Sequence, residues 1–116
     1  MNILKFFYPK DSLKRAILNI KEDIKKDVSE VCSETIRIDS FGAYEIDPKN
    51  LVFFVCVKSD QMKMKLKEDK ILNEKLRELF IKYKYPKNAI EYVSINFESQ
   101  ETVDRDYEGN WYYYYK

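Results

Sequence analysis

The chain contains no histidine. That absence removes the commonest general base, the commonest zinc ligand and the usual charge switch near neutral pH. Glycine is almost as scarce, with two residues in 116. A glycine-lined phosphate cradle therefore has little to be built from, and no P-loop, dinucleotide fingerprint or G-x-S-x-G sequence occurs. Cysteine occurs twice, at Cys32 and Cys56, too few for a disulfide framework. Both thiols are expected to be buried and reduced, which suits a cytoplasm. Cys56 has no histidine to activate it, so nucleophilic catalysis is poorly supported. No apolar run is long enough to span a bilayer, and MNILKFFYPK lacks the apolar core of a signal peptide. The expectation is one cytoplasmic domain over residues 1–116, away from membranes.

What is present is charge, in near balance. Twenty-one Lys and Arg against twenty Asp and Glu leave a formal net charge of +1, so there is no general pull toward nucleic acid or anionic lipid. The distribution is uneven. Residues 58–87 carry ten basic side chains against five acidic ones, and residues 91–108 carry six acids against Arg105. The bland reading is a set of solvated faces. The functional reading is steering of a charged macromolecule.

Hydrophobic spacing sets the expected elements. Residues 2–8 (NILKFFY), stopped by Pro9, read as a strand. Asp11 or Ser12 can cap a helix that runs to about Val31, because Leu13, Ile17, Ile20, Ile24, Val28 and Val31 recur at three and four. Residues 35–46 read as a strand bent at Gly42, followed by a turn at Asp47-Pro48-Lys49-Asn50. Leu51 to Val57 is apolar at every position, which predicts a central strand buried on both faces. Ser59 or Asp60 opens a helical region ending near Tyr83, with a short strand over Met62–Leu66 as its rival. Tyr92 to Phe97 is predicted as a strand with Val93, Ile95 and Phe97 on one face. Ser99 is a plausible N-cap for a helical stretch to Tyr107, and Trp111–Tyr115 is predicted as a last strand.

That order predicts an α+β fold: a ferredoxin-like β-α-β-β-α-β series with an antiparallel sheet, two helices on one face, and an added C-terminal turn and aromatic strand. Helices on one face leave the second face of Leu51–Val57 uncovered. The aromatic tail, the N-terminal arm or a partner must cover it.

The C-terminal stretch ESQETVDRDYEGNWYYYYK is the most unusual part. An acidic run leads through Gly109-Asn110 into Trp111 and four tyrosines, and six aromatics fall in the last ten positions. Glu98, Glu101 and Asp104 are spaced by three, so on a helix they could share a face and hold a hard cation. Acidic residues at a helix start are equally expected from the helix dipole. The aromatics could stack bases. However, Lys49–Phe54 carries Asn and Val where the RNA-recognition signature needs small residues, which disfavours nucleic acid.

The reading these residues favour is a small non-catalytic protein-binding module, in its concrete form a bacterial immunity or antitoxin protein facing a basic toxin domain. A homodimer is also open. The expected binding residues are Glu101, Asp104, Arg105, Tyr107, Trp111, Tyr113 and Tyr115, without cofactor or metal. The alternative is a metal- or acid-dependent enzyme using the Glu98–Asp106 carboxylates.

Overall fold

The structure, a computed structural model, describes residues 12–116. The strand expected at 2–8 and the alternative cap Asp11 lie outside the described residues. Helix α1 spans Leu13–Ser29 and starts at Ser12, whose hydroxyl accepts from the Arg15 amide. Ile17, Ile20, Ile24 and Val28 form its buried stripe. Val31, expected to close that stripe, lies beyond the helix end and is 37% exposed.

Strand β1, Arg37–Phe41, is shorter than the expected 35–46. Gly42 ends it at φ +105°, a backbone state that side chains with a Cβ rarely adopt. Residues Pro48–Asn50 form a 3-10 turn capped by Asp47. Strand β2, Val52–Val57, follows and pairs with β1 in antiparallel register, Ile38 opposite Val55 and Asp39 opposite Phe54.

The expected helical region is two helices. Helix α2 covers Asp60–Glu68 and α3 covers Lys70–Lys82. Ser59 caps the first, accepting from the Met62 amide, so the rival strand over Met62–Leu66 does not form. Asp69 breaks the run at ψ 94° and caps α3 by accepting from the Leu72 amide. Asn73 then donates to the Leu66 and Asp69 carbonyls, satisfying groups that the break leaves over.

A second 3-10 turn at Ile90–Tyr92 leads into β3, Ser94–Ser99, two residues later than expected. Two further helices follow, α4 over Gln100–Asp106 and α5 over Trp111–Tyr115. Among the described residues no helix is long and apolar enough to cross a membrane.

The fold is α+β, but its sheet corrects the ferredoxin-like expectation. The order is β1-β2-β3, and β2 pairs with β3 in parallel, Phe53 opposite Ile95 and Val55 opposite Phe97. In the ferredoxin-like arrangement the two strands joined by the second helical crossover are separated by another strand, and all neighbours are antiparallel. Here the crossover through α2 and α3 returns the chain directly beside β2. A helical crossover brings the chain back in the same direction, so adjacency means parallel pairing.

As expected, β2 is central; three helices, α1, α2 and α3, where two were expected, pack on one face of the sheet. Phe53, Val55, Val57 and Phe97 meet Ile17, Ile20, Ile24, Leu66, Leu76 and Phe80 in one continuous core. Val93, Ile95 and Phe97 belong to this side. The opposite side of the sheet carries Arg37, Asp39 and Phe41 on β1, Phe54 and Cys56 on β2, and Asn96 and Glu98 on β3, aligned by the register.

Candidate functional site

The C-terminal aromatics cover that second face, but as a helical turn and not as the expected strand. Asn110 decides the local structure: its side-chain oxygen accepts from the amides of Tyr112 and Tyr113 and so caps α5. In a helical turn the first, fourth and fifth positions point the same way. Trp111, Tyr114 and Tyr115 accordingly turn toward the sheet. The Tyr115 ring packs edge-on against Phe41 and Phe54, with centroids 5.0 and 5.1 Å apart. Tyr114 meets Phe54 at 5.8 Å, and the Arg37 guanidinium lies 4.6 Å from the Trp111 ring centroid.

The polar tips of these rings are all engaged. Tyr115 donates to Asp39 at 2.7 Å and lies 3.4 Å from the Cys56 sulfur. Tyr114 donates to Glu98 at 2.8 Å, and the Trp111 indole N–H donates to Gln100 at 2.7 Å. Burial raises the pKa of both tyrosines, and the neighbouring carboxylates raise it further. Burial alone would also raise Asp39, but the hydrogen bonds from Tyr115 and Arg37 outweigh it and hold Asp39 below its ordinary value. Burial pushes the Cys56 thiol up despite the Tyr115 hydroxyl beside it.

A second polar cluster joins the starts of α2 and α4. The Asp60 carboxylate accepts from the hydroxyls of Ser99 and Thr102 and from Arg105, the last at 2.9 Å. These donors, the two hydroxyls first, hold Asp60 well below the usual carboxylate range. Lys63 donates to Glu98 at 2.7 Å and to Thr102 at 2.8 Å. Glu34 accepts from the Lys58 and Ser59 amides at 2.9 and 3.0 Å, and Glu101 accepts from the Asp60 amide at 2.6 Å. Carboxylates here satisfy the open amides of a helix start, where the dipole also favours negative charge.

The residues singled out from sequence thus divide. Glu101, Asp104 and Arg105 are exposed but engaged, with Asp104 accepting from Gln100 at 2.8 Å. Trp111 is half-buried, and Tyr115 faces the sheet. Tyr107 and Tyr113 are exposed, as is Tyr112, which the strand pattern left out. Glu98, offered as a possible metal or acid-base group, is buried and occupied by Lys63, Tyr114 and the Ser99 amide. Among the described residues no three acidic or thiol side chains converge closely enough to hold a metal ion.

The roles of Asp39, Asp60 and Lys63 were not legible in the sequence, because the partners that place them in these clusters, Tyr115, Arg105 and Glu98, lie 35 or more positions away. Asn110 was the available signal for the helical turn, since an Asn immediately before an apolar segment can cap a helix start. The chain matches no protein-family model, no curated protein and no solved structure.

Proposed function

We propose that the protein is a non-catalytic protein-binding module whose contact surface is the C-terminal turn. The observation that carries this reading is the exposure of Tyr112 and Tyr113, 68% and 50%, on a turn whose other three aromatics are fastened to the sheet. Exposed rings on a fastened base lose little freedom on binding, and tyrosine supplies large contact area for few rotatable bonds. Tyr107 adds a further exposed ring, and Asp104, Asp106 and Glu108 are exposed alongside in sequence. Aromatics at the centre with charge at the rim is the usual interface anatomy.

The acidic rim favours a basic partner. A nuclease toxin has such a surface because it must hold phosphate, and an immunity or antitoxin protein of the cytoplasm is the concrete form of the proposal. The test is a binding titration against the product of the neighbouring gene. Tyr112→Ala with Tyr113→Ala should speed dissociation by about 2 kcal/mol per hot spot. Asp104→Lys with Glu108→Lys should mainly slow association and flatten its salt dependence. A partner bound equally by all variants would move the surface elsewhere, and absence of binding would remove the immunity form.

A further inference from the structure

The end of α3 and the turn before β3 border an open cleft of about 800 Å³ that shares no residue with the C-terminal turn. Its walls are mainly apolar, built from Ile81, Tyr85, Pro86 and Ile90. Small-ligand sites occupy this size range and combine apolar walls with a few placed polar groups.

The walls are fixed by hydrogen bonds. Arg77 on α3 donates to the carbonyls of Ile90 and Val93, at 2.6 Å for Val93, and so ties the turn to the helix. The Tyr85 hydroxyl is spent on the Pro48 carbonyl. The Ala89 amide closes a turn onto the Pro86 carbonyl at 3.0 Å.

Two lysines stand on the rim, Lys84 and Lys87. Glu91 lies on the same rim, yet among the described residues neither lysine forms a salt bridge with it or with any other carboxylate, whereas Lys75 and Lys82 on α3 pair with Asp27 and Asp23 of α1 and with its cap residue Glu30. Lys84 also holds an unusual backbone. The Tyr85 amide bonds to the Phe80 carbonyl and the Lys84 amide to the Ile81 carbonyl, the double closure that ends many helices. Its left-handed position is normally glycine, yet here a lysine takes φ +56°. A side chain kept at a strained position beside a cleft is a pointer to function.

We infer that this cleft binds a small apolar carboxylate, with the apolar body on Ile81, Tyr85 and Ile90 and the carboxylate on Lys84 and Lys87. Fatty acids and aryl carboxylates share this chemistry.

The experiment follows backbone amide resonances of the full chain during titration with decanoate and, separately, 2-naphthoate. Their neutral amides, decanamide and 2-naphthamide, serve as counterparts. Saturable shifts at Ile81, Lys84, Tyr85 and Ile90 are expected, with the carboxylate binding about fivefold tighter than its amide, as one exposed ion pair allows. A response to decanoate alone assigns an acyl ligand, and a response to 2-naphthoate alone an aromatic one. Lys84→Gln with Lys87→Gln should erase the preference for the carboxylate while leaving amide binding intact. Lys84→Gly should raise the melting temperature and still weaken carboxylate binding, which separates the charge from the fold. The inference is overturned if neither probe saturates at these residues, if carboxylate and amide bind equally, or if the preference survives the double substitution.

Discussion

Tyr115 donates its hydroxyl to Asp39 at 2.7 Å, linking two positions 76 residues apart and closing α5 onto strand β1. The same ring lies 5.0–5.1 Å from Phe41 and Phe54. The turn is therefore a lid on the sheet, and its outward tyrosines are held by its inward ones. Tyr115→Phe should cost about 1–2 kcal/mol through the lost bond to a carboxylate. Tyr115→Ala should cost about 3 kcal/mol, since ring contacts go as well. Urea unfolding of the two variants checks this, and equal losses would show that the ring contributes nothing.

Cys56 should react slowly with a thiol reagent in the native protein. It is 4% exposed, burial raises its pKa, and Tyr115 lies against its sulfur. Tyr115→Ala should speed the reaction by opening the lid while the core stays folded. Fast labelling of the unaltered protein would contradict the placement of α5.

Stability should fall at both ends of the pH scale. Asp60, Asp39 and Glu98 all have folded pKa values below their ordinary 3.8–4.5. Their contribution is full above those ordinary values and is lost as pH falls through the depressed ones, because the unfolded chain takes up protons first. Tyr85, Tyr114 and Tyr115 are raised, chiefly by burial, with Tyr85 pushed up to about 12. Their contribution is full below the ordinary tyrosine value of 10.0 and is lost as pH rises through the raised values. Denaturant midpoints between pH 2 and 11 should thus show a plateau from roughly pH 5 to 9. Asp60→Asn should flatten the acid limb and leave the alkaline limb unchanged.

The two glycines should behave differently. A Cβ at Gly42 would stand 2.0 Å from the Asn50 carbonyl oxygen, at φ +105°. Gly42→Ala should therefore cost at least about 3 kcal/mol, since backbone must move. At Gly109 the nearest atom is the Asp104 carboxylate oxygen at 3.1 Å, which can swing away. Gly109→Ala should cost about 1–2 kcal/mol, from the left-handed backbone alone. Melting temperatures of the two variants give the comparison.

Much of the fold is legible in the chain because its cause is local. The three-and-four spacing from Ile17 to Val28 makes α1 whatever surrounds it. Ser12, Ser59 and Ser99 each accept from an amide three positions on, so three helix starts are written within four residues. The unbroken apolar run through β2 announces two covered faces, and both are covered. The candidate site was less legible. Strand parity paired Tyr113 with Tyr115, whereas the helical turn exposes Tyr112 and Tyr113 and sends Tyr115 inward.

Local patterns decide which segments are amphipathic, where helices start and that β2 is central, because periodicity and capping act over a few residues. Tertiary structure alone decided that β3 lies beside β2 in parallel, and that the second face is closed by α5. A five-residue aromatic segment can bury rings with either a strand or a helical period. The choice was made by partners outside the segment, Asp39 and Cys56 for Tyr115 and Glu98 for Tyr114, which sit where a helical turn delivers these two adjacent rings together.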